Sequence, residues 1–370
     1  MKTLIPLFAI FLSLSLTAQT NPATWYLNDT SGSGIQSPTN TASGGNSTAM
    51  GYYSHASGSF STAMGVQTTA SGIEATAMGD YTTASGDVST AMGIQTTASG
   101  YGSTAIGNLS IASGKNSFAI GYGTLEEGNA STGTPYYRNE ALEERSFVIG
   151  NRNKATGYKS FTLGNDNLAQ GIASSSIGEN NISTGHYSMA FGLFSESVGD
   201  KSFAIGSNAY SDGYNTTAIG TGNTVDDNAI GDQWSQNNRA FVIGNGFYDE
   251  SAAQLTRSDA FTVWFNGDAT LAGNLNVNSD ARLKANIVSL GSTLSKLLQI
   301  DGKSYTMKKD ESEKQKIGLL AQDIEKVFPE LVSESNGIKS VNYQGLVPVL
   351  INALKEQEER IKRLEELLLD

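Results

Sequence analysis

The chain has no cysteine, only two histidines and few basic residues for its 370 positions. Without cysteine there are no disulfides, so stability has to come from packing and assembly. His55 and His186 stand alone, too few for a zinc site. No metal and no cofactor is expected. The 24 Lys and Arg stand against 36 Asp and Glu, a net charge of −12. Such a balance argues against a phosphate backbone as ligand, so nucleic acid is excluded as a partner. Long apolar runs are missing too. The one short run, 4–16, follows Lys2 and ends on Thr17-Ala18. It reads as a signal peptide over 1–18, too short to span a membrane. The mature chain is therefore predicted to carry no transmembrane segment and to be secreted or held at a bacterial cell surface.

Charge is also unevenly spread. Residues 1–278 hold 10 Lys and Arg against 21 Asp and Glu, whereas residues 279–370 hold 14 against 15. The first part is acidic, glycine-rich and repetitive; the second is dense in charge and non-repetitive. This change of composition places a domain boundary near Ser279.

After a polar lead-in over 19–40, a repeat begins. From Gly44 to Gly121, and again from Gly150 to Gly220, every seventh residue is glycine. A fixed period means a solenoid or array. The full unit is fourteen residues, as in 70–83. Each seven-residue half is too short for a helix and a loop, and suits one short strand with one tight turn, where glycine supplies the backbone angles of a corner. Before every second glycine stands an apolar residue: Met50, Met64, Met78, Met92, Ile106, Ile120, and later Ile149, Leu163, Ile177, Phe191, Ile205 and Ile219. Stacked coils align these into a ladder. Two places earlier on the same face, Thr48 to Thr104 give way to Phe118, Phe147, Phe161 and Phe203. Ala49, Ala63, Ala77, Ala91 and Ala105 fall between, on the opposite face. A disordered tract would not require a fixed apolar position. A fourteen-residue coil has little interior, so association with identical stacks is expected to bury the second face. Eleven coils at the strand spacing give a rod of roughly 50 Å.

Two interruptions, 123–145 and 221–239, read as loops leaving the roll, and loops are where contacts with partners concentrate. The second holds Asp226, Asp227 and Asp232. These lack the regular spacing of a calcium loop and read as a solvated turn. Residues 246–278 form a β neck. Within it Asp259-Ala-Phe-Thr-Val-Trp-Phe-Asn-Gly267 alternates and turns, and 268–277 reads as a further strand.

At the boundary stands Ser279-Asp-Ala-Arg-Leu-Lys-Ala-Asn-Ile287. A serine hydroxyl needs a base to become a nucleophile. No histidine lies in 279–370, and lysine serves only if burial lowers its pKa. Further on, Leu350, Leu354, Gln357, Ile361, Leu364 and Leu368 are spaced 4-3-4-3-4, an a/d seam with Glu356, Glu358, Glu359, Arg360, Lys362 and Arg363 in the outer positions. This predicts an oligomeric coiled coil at the chain end.

Two resemblances follow. The Ala-x-Gly and Ala-Ile-Gly pattern over about 40–245 resembles the head repeats of trimeric autotransporter adhesins, which implies a left-handed parallel β-roll in a trimer. The boundary segment, with Ile317-Gly-Leu-Leu-Ala-Gln-Asp, Pro329-Glu-Leu331 and Lys339-Ser-Val-Asn-Tyr343, resembles the intramolecular chaperone of phage tailspikes and tail fibres, the S74 peptidase family. Gly302 stands where that family often has proline. The second resemblance implies Ser279 as nucleophile, Lys284 as general base, cleavage between Asn278 and Ser279, and a trimer as the coiled-coil state. The expected architecture is mainly β: a trimeric solenoid over 41–245, the neck, and an α+β chaperone and autoprotease domain over 279–370. The expected function is a secreted trimeric fibre or adhesin whose chaperone domain folds it and then cuts itself off. Its partners are itself as a homotrimer and a surface glycan or protein. The alternatives are a glycan-degrading tailspike and an ice-binding solenoid carrying the Thr48 to Thr104 column.

Overall fold

A computed structural model describes residues 26–27, 35–36, 39–123, 138–308 and 314–369. The signal peptide expected over 1–18 lies outside the described residues. The chain divides into two compact units, Met1–Asn274 and Leu275–Asp370.

The first unit is a parallel β-solenoid. Each coil carries a five-residue strand, such as Thr48–Tyr52, and a short strand, such as His55–Ala56. Equivalent residues fourteen apart pair in register: Thr48 with Thr62, Met50 with Met64, Gly51 with Gly65. The same register continues through Thr217 beside Phe241. The short strands form a second, twelve-stranded sheet from Thr41–Ala42 to Tyr210–Ser211.

Strand alternation gives each coil two faces, and the small residues line the inner one. Ala49, Ala63, Ala77, Ala91, Ala105 and Ala119 from the long strands, and Ala42, Ala56, Ala70, Ala84, Ala98 and Ala112 from the short ones, are fully buried. Together they are the core, a narrow slot between two closely spaced strands. The Met and Ile ladder therefore points outward and stays partly exposed, as do Phe203 and Phe191. Within this ladder's face Phe118, Phe147 and Phe161 stack ring on ring at 4.8 and 5.6 Å.

The two glycine columns have different causes. At Gly79 φ is +123°, and a Cβ would also fall 2.0 Å from the carbonyl oxygen of Gly93. At Gly58, where φ is ordinary, a Cβ would fall 1.9 Å from the carbonyl oxygen of Gly72. Coil-on-coil approach fixes glycine there, not a corner angle. The left-handed corner positions are instead held by non-glycine residues such as Asn46, Tyr53, Phe60 and Val88, with φ between 51° and 60°.

At the inner corner, polar side chains take over from alanine. Asn139, Asn153, Asn167 and Asn181 are buried one above the next. Each accepts a backbone N–H from the following coil, at 3.0, 2.9, 3.1 and 2.9 Å. Each also donates to a glycine carbonyl, from Gly150 to Gly192, at 2.6 to 2.8 Å.

The first interruption is narrower than 123–145. Asn139–Ala141 already pairs with Ser110–Ala112, so the stack resumes at Asn139. The second is bound to the stack rather than looped away. Buried Arg239 donates to both Asp212 carboxylate oxygens at 3.0 and 2.9 Å and to the Thr224 carbonyl at 2.8 Å. The carboxylates of Asp259 and Asp226 stand 3.6 and 3.8 Å from it. Asp226 is thus taken up by Arg239. Among the described residues, no three His, Asp or Glu side chains stand together as a metal cradle.

Arg239–Asn245 is the last parallel strand, and Asp259–Trp264 folds back antiparallel on it. Ala269–Leu271 adds one more strand. The strand expected over 268–277 ends there: among the described residues no strand pairing continues past Leu271, and Leu275 and Val277 are exposed.

The second unit is α+β. Two hairpins, Lys303–Tyr305 with Lys316–Gly318 and Val332–Ser335 with Ile338–Val341, accompany helices Leu294–Leu297, Ala321–Val327 and Leu346–Leu369. Ile324, Val327, Phe328, Leu346 and Val349 form its small core. Among the described residues, no helix is long and apolar enough to cross a membrane.

Candidate functional site

The start of the second unit folds into one tight turn. Asp280 caps a 3-10 helix at Ala281–Leu283 by accepting the Arg282 backbone N–H at 2.9 Å, and Arg282 closes back on it with its guanidinium at 2.7 Å. The Arg282 side chain and amide hold the Asp280 carboxyl below the usual carboxylate range. The Lys284 N–H donates to the Ala281 carbonyl at 3.1 Å. This reversal returns the lysine side chain to the serine, and Lys284 Nζ stands 2.7 Å from Ser279 Oγ. A five-residue separation becomes a hydrogen bond through local turn geometry alone.

Such a pair can move a proton from hydroxyl to amine if the amine is neutral. In the single chain every residue from Ala269 to Ser292 apart from the capping geometry is open to solvent: Leu283, Ile287, Val288 and Leu290 are all exposed. Among the described residues, Lys284 is exposed as well, and these apolar side chains are left uncovered.

The final helix presents two stripes. Leu346, Val349 and Ala353 are buried against the unit's own core. The seam residues Leu350, Leu354, Gln357, Ile361, Leu364 and Leu368 are exposed, Leu354 at 68% and Leu368 at 85%.

One outer-position residue does something the heptad pattern does not reveal. Glu356 continues the buried stripe at 3-4-3 spacing. Its carboxylate accepts the Ser292 hydroxyl at 2.6 Å, the Thr293 backbone N–H, and the Leu294 N–H at 3.2 Å. The Ser292 hydroxyl first, then the Thr293 amide, hold this carboxyl below its ordinary range. The lowered pKa means the interaction is fully present above the ordinary carboxylate range and lost as pH falls through the lowered value. Beside it, Thr293 donates its hydroxyl to the Val349 carbonyl at 2.9 Å, and Asn352 donates to the Gly291 carbonyl at 3.3 Å. A glutamate among many on a charged helix gives no sequence signal for this role. Only its place on the Leu346-Val349-Ala353 stripe hints at it.

Comparison with known proteins matches both regions. The family model described as chaperone of endosialidase, Peptidase_S74, matches residues 279–333. The YadA head domain repeat matches 42–68, 70–96, 98–124, 169–195 and 197–223. YadA head repeats and an S74 chaperone domain therefore stand together in this chain. The chain also shows homology to long tail fiber protein Gp37 of several phages. It is 28% identical to that of Salmonella phage S16 over 167 residues, 39% of this chain and 22% of the relative. It is 29% identical to that of Escherichia phage AR1, over 33% of this chain and 12% of the relative. With Enterobacteria phage Ox2 the identity is 29%, over 37% of this chain and 58% of the relative. The matched part is less than two thirds of each of these relatives.

Proposed function

We propose that three copies of this chain form an extended, secreted surface fibre. Its C-terminal unit aligns the chains and then detaches by cutting the Asn278–Ser279 bond. The observation that carries the cutting reading is the 2.7 Å separation of Lys284 Nζ and Ser279 Oγ. Ser279 Oγ attacks the Asn278 carbonyl carbon while Lys284, as neutral amine, takes the hydroxyl proton. The C–N bond breaks, the Ser279 nitrogen leaves protonated as a free amine, and an ester joins Asn278 to Oγ. Water hydrolyses that ester, which leaves a carboxylate on Asn278 and Ser279 as a new N-terminus. Each chain turns over once, with no external substrate.

The trimer reading is supported by two unpartnered apolar surfaces. The outward Met and Ile ladder runs the length of the solenoid, and the exposed seam runs to the end of the final helix. Fully burying each Leu or Ile of the seam is worth about 1.5–3 kcal/mol. Assembly also provides the desolvation that Lys284 lacks in one chain, so cutting follows trimer formation. Registering coils of three chains is slow because non-local pairings form before they stabilise anything. A helix that gathers the chains sets register. Its later removal makes the fibre kinetically trapped. The fibre itself serves attachment to a surface glycan or protein.

The test is expression of the full chain, followed by intact-mass measurement and N-terminal sequencing. Two fragments are expected, the smaller beginning at Ser279, and Ser279→Ala should remain whole. Normal cutting of Ser279→Ala would overturn the mechanism.

A further inference from the structure

We propose that Glu356 is a positioning residue for this self-cleavage: its carboxylate clamps the segment that carries Ser279 and Lys284 to the turn of the final helix that carries the seam. The inference rests on the self-cleaving reading above and goes beyond it, because it names how assembly and cutting are coupled within one chain.

The geometry is specific. The final helix grips Gly291, Ser292, Thr293 and Leu294 through three groups on successive turns, the Val349 carbonyl, Asn352 and Glu356. Thr293 is 2% exposed, so its amide has no water to replace Glu356, and an orphaned buried N–H is costly. Among the described residues, Glu356 is the last of the helix that holds its own chain this way. The residues following it to Leu369 are exposed, and the next residue, Gln357, belongs to the seam. Glu356 thus stands where the grip on the chain's own fold hands over to the surface offered to partners.

Between Lys284 and Gly291 the chain is irregular and exposed. Fully extended, those seven steps reach no more than about 25 Å. A fixed point at 291–294 therefore confines the Ser279–Lys284 turn to a sphere around one turn of the helix. When helices gather through Leu354, Gln357 and Ile361, the clamp delivers each turn to the same distance from the seam. Leu283, Ile287, Val288 and Leu290, all uncovered in the single chain, can then be buried together around Lys284. Releasing the clamp leaves the dyad on a looser tether, which lowers the fraction of time spent in a reactive geometry. Glu356 does not touch the reacting atoms. It acts through the segment it holds.

The experiment follows full-length chains in time after synthesis, with assembly read on native gels and cutting on denaturing gels. The quantity compared is the first-order cutting rate per assembled trimer. Wild type, Glu356→Ala, Glu356→Gln and Ser292→Ala are run together. Glu356→Ala is expected to assemble like wild type and to cut about tenfold more slowly per trimer. Glu356→Gln keeps a carbonyl acceptor for the amides and should recover most of that rate. Ser292→Ala, which deletes one bond of the clamp, should fall between wild type and Glu356→Ala. A wild-type rate per trimer in Glu356→Ala, with or without a lower assembled yield, overturns the clamp and leaves Glu356 a stabilising contact. If Glu356→Ala does not assemble at all, Ser292→Ala decides on the same comparison. A wild-type chain that stays whole removes the self-cleaving reading itself, an outcome distinguishable from failure of the clamp alone.

Discussion

Ala49 and Met50 are neighbours in the chain and lie on opposite sides of the coil wall: Ala49 is fully buried in the slot between the two sheets, and Met50 is outside and partly exposed. The larger apolar side chain is outward because the slot is too narrow for anything beyond Ala, Val, Ser, Thr or Asn. Each coil therefore folds around its small residues and offers its large ones to another surface.

That division predicts two different outcomes for one substitution. Met78 and Met92 pair in register on the outer ladder. Met78→Asp with Met92→Asp is expected to leave the β content by circular dichroism unchanged and to convert trimers to monomers in sedimentation equilibrium. Ala77→Asp, one residue away and fully buried, is expected to abolish folding, since an unpaired charge in the slot cannot be solvated. Stable trimers from the double Met variant would show that the ladder is not an interface.

Gly79→Ala meets two obstacles, the left-handed φ of +123° and a carbonyl oxygen 2.0 Å from the new Cβ. Separating two coils enough to admit a methyl group breaks in-register hydrogen bonds. A loss on the order of 3 kcal/mol or more is expected, read as a lower thermal midpoint of the solenoid. An alanine in place of Gly273, where nothing stands within 4 Å of a built Cβ, is the control and should change the midpoint little.

Arg239 is 4% exposed and serves Asp212, Asp226 and Asp259 together. Arg239→Met fills similar volume and leaves those carboxylates uncompensated. The expected cost is about 3–5 kcal/mol, seen in denaturant unfolding. An unchanged midpoint at neutral pH would mean that the cluster is solvated in the assembled protein.

The seam and the dyad separate assembly from chemistry. Replacing Leu354, Ile361 and Leu364 by Asp should give monomeric, aggregation-prone, uncut chains. Lys284→Ala and Lys284→Arg should give trimers that stay whole, because arginine remains protonated and cannot act as base. Cutting by Lys284→Arg at the normal rate would exclude lysine as the base.

The sequence alone determined whatever depends on spacing along the chain. A fourteen-residue period aligns like with like, so the ladder of Met and Ile and the column of Thr48 to Thr104 follow from repetition itself. The seam follows from 4-3 spacing, and Ser279 and Lys284 meet through a turn that closes within six residues. The tertiary structure decided what depends on distances between coils and between distant segments. Strand alternation yields two faces, and only the width of the slot assigns alanine to the inside. Glycine at Gly58 answers to the backbone of Gly72 above it, which no local rule contains. Arg239 meets Asp212 across 27 positions and Glu356 meets Ser292 across 64. Such partners carry no local pattern, because their pairing is set by how separate segments pack and not by the period of either one.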